Sequence, residues 1–212
     1  KIFRTNSIIH MPISPFIAPN ERFTFLSLGL LKKNIIINYH GDIQLETKNK
    51  IVNKEVISTL SYLPSYVMIP QLLQRSNQVI VNSYWMNNLV QKKYNINCNV
   101  IPNGINETWF KEPNTNHIPN LDPFIFYHGR LSYEKGVDIL IRSYALCLKK
   151  LNIKTDLLIA GEGPQKKRLY ELCKKLGIDN KVKFLGFLMG DELKSYIKKA
   201  EALFYPSRYE SF

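Results

Sequence analysis

The sequence predicts an α/β fold built on a parallel, doubly wound sheet, and three features support this. Short continuous apolar runs alternate with longer segments in which apolar residues recur every three or four positions. Several of the runs end at a glycine or a proline, where the chain is expected to turn. In the second half the predicted order is β-α-β-α-β-α-β, which is typical of a parallel sheet with helices on both faces.

The first half contains a predicted strand at Ile35–Ile37, whose continuous apolar run ends in His-Gly-Asp as a buried parallel strand entering a loop does. Residues 65–76 predict a helix with a proline near its start or at a kink. Residues 83–94 predict a second helix, capped by Ser83. Further apolar runs predict strands within residues 77–83 and 99–106.

The second half has clearer periodicity. Residues 136–151 predict a helix with one apolar face, and residues 164–177 predict a helix that begins at a proline and ends at Gly177. A third helix is predicted at 191–200, where two opening acids suit the positive end of its dipole. Apolar runs predict four strands, within residues 123–129, 156–161, 181–186 and 202–207.

Residues 111–123 are the most loop-like stretch, with three prolines, three asparagines and few apolar residues. We interpret this stretch as the region of a domain boundary and predict two domains, residues 1–108 and residues 109–212. The chain begins at Lys1, with neither an initiator methionine nor a signal-peptide pattern, so we interpret it as part of a longer protein.

The composition excludes several classes of protein. At 45% hydrophobic residues the chain can bury a core, and no apolar run approaches the roughly 20 residues of a membrane-spanning helix. The three cysteines are far apart, which argues against a disulfide framework or a zinc site and indicates packing residues in a reducing compartment. A net charge of +12 suits an anionic partner. An AT-rich genome would also give abundant lysine, asparagine and isoleucine, and that alternative stays open.

In doubly wound sheets ligands bind beyond the carboxyl ends of the strands, and three loops there have unusual compositions. In the first, Gly129 permits a sharp turn, Arg130 can bind a phosphate with two hydrogen bonds, and Lys135 adds a point charge. The helix that starts near Gly136 adds backbone amides, and Glu134 is expected to orient the two cations. The loop therefore predicts a diphosphate site without a metal, against the alternative of two solvated surface cations.

The other two loops carry weaker signals. Gly161 and Gly163 begin a pattern for dinucleotide binding, but Lys166 stands at the third glycine position, so we interpret them as a tight turn. Glu210 follows the last strand, where a carboxylate can accept hydrogen bonds from sugar hydroxyls and oppose Arg130. A simple exposed turn acid is the alternative for Glu210.

Five segments together resemble a known family: IPNGIN, YHGRLSYEKGVDILIRSYALC, LLIAGEGP, VKFLGFL and ALFYPSRYESF. In order and spacing they are similar to the retaining glycosyltransferases of family four (glycosyl transferases group 1), over roughly residues 79–212. NYHGD is also similar to the histidine-bearing strand end of that family. The resemblance implies two Rossmann-like domains of the glycosyltransferase-B (GT-B) type. The Gly-rich N-terminal loop and the second acid of the family's E-x7-E motif are absent, so the resemblance also implies truncation at both ends.

The resemblance assigns roles to particular residues. Arg130 and Lys135, with Gly129, match the diphosphate-binding pair and its turn. Glu210 matches the first acid of E-x7-E, which contacts the donor sugar. The remaining matches are Ser211 and Phe212 in the sugar and phosphate loop, Gly186, Phe187 and Leu188 at the nucleotide base, and His40 facing the sugar. For His40 a buried structural histidine is the alternative.

These matches imply a hexosyltransferase-like enzyme that moves a sugar from a nucleoside-diphosphate sugar to an acceptor hydroxyl with retention, in glycan, glycolipid or cell-surface polysaccharide synthesis. No Asp-x-Asp triplet occurs, so neither a metal nor another cofactor is expected. We expect a glycan or lipid-linked acceptor, a cytoplasmic location, peripheral membrane association and no nucleic-acid partner. An epimerase or a phosphorylase, a catalytically dead remnant and a basic nucleic-acid-binding module are the alternatives.

Overall fold

The computed structural model describes residues 8–13, 34–42, 51, 60, 62–113, 123–151, 153–208 and 210. Their contacts divide the chain into two compact units, one from the residues up to Gly104 and one from Ile105 to Glu210. Each unit holds its own four-stranded parallel sheet. The α/β class with parallel sheets is therefore confirmed, whereas the domain boundary at 108/109 stays a prediction.

The sheet of the first unit has the strand order β1-β2-β3-β4. Its strands are β1 (Ile8–Ile13), β2 (Asn34–Tyr39), β3 (Gln78–Val81) and β4 (Asn99–Val100). The two described helices are α1 (Leu63–Arg75) and α2 (Tyr84–Tyr94). Apolar side chains from both helices pack with those of β1, β2 and β3 in one buried cluster.

Local chemistry explains these elements. As predicted, Ser83 caps α2, since its Oγ accepts a hydrogen bond from the Met86 amide at 3.1 Å. β1 was not predicted because Pro12 interrupts its apolar pattern, and proline is disfavoured inside sheets. Among the described strands β1 lies at the sheet edge, where a missing amide donor is tolerated. The predicted strand within 99–106 is confirmed only for Asn99–Val100.

The sheet of the second unit has the order β7-β6-β5-β8, and all its neighbours are parallel. Its strands are β5 (Phe124–His128), β6 (Asp156–Ala160), β7 (Val182–Gly186) and β8 (Ala202–Leu203). Its α-helices are α3 (Val137–Leu151), α4 (Lys166–Leu176) and α5 (Gly190–Lys199). The predicted alternation of strands and helices is confirmed.

Neighbouring residues of β5 show why this sheet is doubly wound. Tyr127 packs in the cluster that contains α3 and α4, whereas Phe126 packs with Tyr196 of α5 on the other face. Successive side chains of a strand point to opposite faces, so a continuous apolar run requires cover on both. The second unit therefore has helices on each side of its sheet.

The reversal of strand order determines where a ligand can bind. The chain proceeds from β5 through β6 to β7 and then returns to place β8 on the opposite side of β5. A crevice forms beyond the carboxyl ends of the strands at such a reversal, and it is the general ligand site of these sheets. The loops that follow β5 and β8 flank this point.

Two of the three cysteines pack against the cores as expected. Cys173 is buried in the core of the second unit, and Cys98 is half-buried against the core of the first. Burial raises the pKa of both thiols to about 11, so they are protonated near neutral pH. No helix among the described residues has the length and apolar character needed to span a membrane.

Substitution of Gly161 tests how tightly the loops after β5 and β6 pack. Gly161 has a φ of 137°, and a Cβ there would lie 1.9 Å from the Gly129 carbonyl oxygen. We expect Gly161→Ala to lower the free energy of unfolding by about 2 kcal/mol or more in urea denaturation. The control is Gly104→Ala, whose Cβ would meet no atom within 4 Å. Equal effects of the two variants would contradict the packing described.

Candidate functional site

Backbone hydrogen bonds join the loop after β5 to the end of β6 and the loop that follows it. The Gly129 amide donates to the Ala160 carbonyl at 3.0 Å, and the Leu131 amide donates to the Glu162 carbonyl at 2.8 Å. The absence of a Cβ at Gly161 lets the two backbones touch. This agrees with the interpretation of that glycine as part of a tight turn. Arg130 lies between the two bonded amides, and its side chain is 63% exposed.

A buried carboxylate fixes the position of Arg130. Glu134 is only 4% exposed, and its Oε1 lies 2.6 Å from Arg130 Nη2. Ser132 Oγ donates a second hydrogen bond to the same oxygen. A buried carboxylate requires such partners, so the guanidinium is held by a group that cannot easily move into solvent. The expectation that Glu134 orients the cations is met for Arg130.

Lys135 has a different partner. A 3-10 turn, Tyr133–Lys135, precedes α3 and was not predicted. Lys135 Nζ lies 2.7 and 2.8 Å from the two carboxylate oxygens of Glu210, and Ser207 Oγ donates to Glu210 Oε1 at 2.6 Å. Glu210 was expected to oppose Arg130, but its ion-pair partner is Lys135, because the turn carries Lys135 to the loop after β8.

Arg208 is a site residue that the sequence reasoning missed. Its guanidinium forms two hydrogen bonds to the Asp138 carboxylate, at 2.9 and 2.8 Å. Burial alone would raise the pKa of Asp138, but the hydrogen bonds and charge of Arg208 outweigh it and hold that pKa below its ordinary value. The available signal was an arginine two residues before Glu210 and an acid in the first turn of α3.

A cavity of about 340 Å³ opens beside Arg130. Its lining includes Gly129 and Arg130 of the predicted diphosphate loop together with Phe187 and Leu188 of the predicted base-binding segment. Gly186 adjoins this wall, and its carbonyl accepts from the Gly161 amide at 2.6 Å. Two groups of residues that are far apart in sequence thus meet around one space large enough for part of a small ligand.

His128 also lines this cavity and was not predicted. His128 packs edge-to-face against Tyr205 of the loop after β8, with ring centroids 5.2 Å apart. Burial lowers the pKa of His128, which favours the neutral imidazole at physiological pH. The positive charge at this wall of the cavity therefore comes from Arg130.

The remaining predicted residues lie elsewhere. His40 follows β2 in the first unit, donates its amide to the Ile13 carbonyl at 3.0 Å and is exposed, so the alternative of a buried structural histidine is wrong. Nearby Asp42, which was not predicted, is buried and lies 2.7 Å from Lys93 Nζ. Ser211 and Phe212 lie outside the described residues.

The loop after β5 therefore presents two cations that each have an acidic partner, Arg130 with Glu134 and Lys135 with Glu210. The Arg130 side chain as a whole is mostly exposed, and Lys135 is engaged with Glu210. An anion entering this crevice can bind Arg130 directly but must compete with Glu210 for Lys135. Displacement of Glu210 from Lys135 would leave its oxygens available to accept hydrogen bonds from a neutral hydroxylated group.

Comparison with known proteins identifies relatives of this chain. Residues 109–212 match the model of the family described as glycosyl transferases group 1. An uncharacterized glycosyltransferase of Methanocaldococcus jannaschii is 34% identical over 173 residues, which cover 76% of this chain and 42% of that protein. The N-acetylgalactosamine-N,N'-diacetylbacillosaminyl-diphospho-undecaprenol 4-alpha-N-acetylgalactosaminyltransferase of Campylobacter jejuni is 31% identical, over 77% of this chain and 41% of that enzyme.

Solved structures agree with the fold. The structure of Anabaena HepE in complex with UDP and glucose has a TM-score of 0.65 and 18% identity, over 97% of this chain and 54% of that one. Such a likeness concerns the fold, and it confirms the predicted GT-B type with Rossmann-like units. The chain spans less than half of the two curated relatives and about half of this structure.

Because Arg208 lowers the pKa of Asp138, we expect the free energy of unfolding to depend on pH. The pKa of Asp138 in the folded state lies below the unfolded value of about 3.9. The contribution of the Asp138–Arg208 pair to the free energy of unfolding is therefore fully present above about pH 3.9. It is lost as the pH falls through the lower folded value. We expect Asp138→Asn to cost about 1–2 kcal/mol at pH 7, measured by urea unfolding, and progressively less below pH 4.

The control for this prediction is Asp179→Asn, which removes an exposed carboxylate from the same unit. We expect this change to alter the free energy of unfolding by less than about 0.5 kcal/mol. A cost of Asp138→Asn that stayed constant down to pH 2 would contradict the assigned role of the pair.

Proposed function

Because the chain belongs to the glycosyl transferases group 1 family through residues 109–212, we propose that it transfers a sugar from a nucleoside-diphosphate sugar to an acceptor hydroxyl with retention of configuration. One observation carries this proposal. The Lys135–Glu210 pair joins the loops after β5 and β8, which flank the reversal of strand order, and Arg130 of the first loop lines a cavity together with residues assigned to the nucleotide base.

The leaving diphosphate is the chief demand of this reaction. As the bond between the anomeric carbon and the phosphate oxygen breaks, negative charge develops on the diphosphate. Arg130 and Lys135 stabilise that charge, aided by the positive end of α3, which begins at Val137. Because protein cations supply this stabilisation, we propose that the transfer requires no metal and no other cofactor.

The acceptor oxygen then bonds to the anomeric carbon, and its proton passes to the leaving diphosphate oxygen. This transfer on one face of the sugar retains the configuration without a covalent intermediate on the protein. Glu210 accepts hydrogen bonds from the donor sugar, with Ser211 and Phe212 contributing backbone amides next to it. We assign His40 to the acceptor-side face of the sugar.

The cavity wall provides the place for the nucleotide base. Phe187 is 72% exposed beside the cavity, so its ring is available to stack on a base. Leu188 adds apolar surface, and the Gly186 backbone permits close approach. A base held there lies on the same cavity as Arg130, which agrees with the order of groups in a nucleoside diphosphate.

For the acceptor we propose a glycan or a lipid-linked saccharide. The Campylobacter jejuni relative acts, by its name, on a sugar carried by diphospho-undecaprenol. The net charge of +12 suits an acceptor at an anionic membrane surface. We therefore propose a cytoplasmic location with peripheral association at the cytoplasmic face of a membrane, where the three free thiols stay reduced.

Isothermal titration with UDP, GDP and ADP tests the donor site. We expect one nucleotide to bind at millimolar concentration or tighter, with an affinity that does not change when EDTA is added. The double variant Arg130→Ala/Lys135→Ala should lose at least about ten-fold in affinity, since two charge-assisted contacts are removed. The matched control is Arg142→Ala/Lys150→Ala, which removes one exposed arginine and one exposed lysine from α3.

Failure of all three nucleotides to bind would overturn the proposal. Salt-dependent binding of an oligonucleotide in their place would favour the nucleic-acid-binding alternative, and binding of neither would favour a remnant. Equal losses in the two double variants would assign the effect to overall charge and not to the loop after β5.

The substitution Glu210→Gln distinguishes binding of the donor sugar from binding of the diphosphate. The change removes the charge of the carboxylate that pairs with Lys135. We expect the bare nucleoside diphosphate to bind as tightly as before or tighter, and the corresponding nucleotide sugar to bind at least about ten-fold more weakly. Titration of both ligands into one variant provides its own control. Parallel losses for both ligands would contradict the assignment of Glu210 to the sugar.

A further inference from the structure

We propose that Arg208 is a positioning residue that fixes Glu210 beside Lys135 by clamping the loop after β8 onto the start of α3. The clamp itself is argued from contacts in the second unit, whereas its consequence for the donor rests on the proposed function. Arg208 is not one of the residues assigned to the donor, and its role is to act through Glu210.

The side chain of Arg208 joins two segments. Its two terminal nitrogens bind the two oxygens of Asp138, a parallel arrangement that fixes both distance and orientation. Nη1 also donates to the Tyr133 carbonyl at 2.6 Å, and the guanidinium carbon lies 4.1 Å from the centroid of the Tyr133 ring. The side chains of Arg208 and Asp138 are 23% and 27% exposed, so water screens their pairing only in part.

The backbone reinforces this contact. The Arg208 amide donates to the Glu134 carbonyl at 2.7 Å. Two residues earlier, the Pro206 carbonyl oxygen would lie 2.0 Å from a Cβ at Gly136, which itself has a φ of 65°. Only glycine therefore permits the two loops to approach this closely.

The contacts of Arg208 and Pro206 lie on both sides of the Lys135–Glu210 ion pair, in the segment before and at the start of α3 and in the loop after β8. On one side Tyr133, Glu134, Gly136 and Asp138 flank Lys135, and on the other side Arg208 precedes Glu210 by two residues. Ser207 binds Glu210 directly, but it belongs to the same loop and cannot by itself anchor that loop to α3. The bonds of Arg208 supply the anchor, so the position of Glu210 depends on them.

Arginine is required by this geometry. A lysine at 208 keeps the charge but cannot bind both Asp138 oxygens and the Tyr133 carbonyl through a planar fork. Asp138→Asn keeps the shape of the partner but removes its charge. Both variants therefore weaken the clamp without creating a large cavity.

Carbodiimide cross-linking tests the clamp without any donor. The reagent joins a carboxylate to an adjacent amine with loss of water, which the carbodiimide takes up. We expect a wild-type link between Glu210 and Lys135, detected by mass spectrometry, and a several-fold lower yield in Arg208→Lys and Asp138→Asn. The internal control is the link between Glu162 in the loop after β6 and Lys166 at the start of α4, whose charged atoms lie 2.6 Å apart, and it should stay unchanged.

A wild-type yield of the 210–135 link in both folded variants would overturn the proposal. An equal fall in both links would also overturn it, because it would indicate general loosening. Thermal unfolding confirms that each variant is folded, and a failure of Asp138→Asn to fold leaves Arg208→Lys as the deciding variant.

A second measurement separates this inference from the proposed function. We expect Arg208→Lys to lower the affinity for a nucleotide sugar several-fold while the bare nucleoside diphosphate binds as in the wild type. If the wild type bound no nucleotide, the proposed function would fail, while the cross-linking result would still decide whether Arg208 positions Glu210. Equal losses for both ligands would contradict a role directed at Glu210.

Discussion

The close approach of the loop after β8 to the start of α3 is the constraint on which the second unit's site depends. A carbonyl oxygen of Pro206 occupies the space that any side chain at position 136 would need. Because this position is glycine, the Arg208 amide can donate a hydrogen bond to the Glu134 carbonyl. The Lys135–Glu210 pair joins these same two segments. The electrostatic character of the site thus follows from a steric fact about the backbone.

Most of the fold could be predicted from the sequence because strong local signals agree with the tertiary structure. The helices at Val137–Leu151 and Lys166–Leu176 each carry an apolar face and an adjacent glycine, and both form nearly as predicted. The strands were recognised as continuous apolar runs, which require burial on two faces. The convergence of the loops then followed from the parallel order of the strands.

The parts that escaped prediction depend on contacts between distant residues. β1 contains a proline, and only its place at the edge of the described sheet makes that residue acceptable. The partner of Glu210 depends on a short 3-10 turn that has no periodic signature. Arg208 resembled any surface arginine until its carboxylate partner 70 positions away was known. Residue types could therefore be assigned to the site, but their pairing could not.

The cavity beside Arg130 is lined partly by main chain and partly by side chains, and this difference determines which positions can accept substitutions. Its floor is main chain, where Gly129 and Gly161 touch so closely that a single added methyl group has no room. Its wall includes the side chain of Phe187, which is 72% exposed and can change size without disturbing the sheet. The shape of the cavity can therefore change through Phe187, whereas the glycines of its floor leave no room for a side chain.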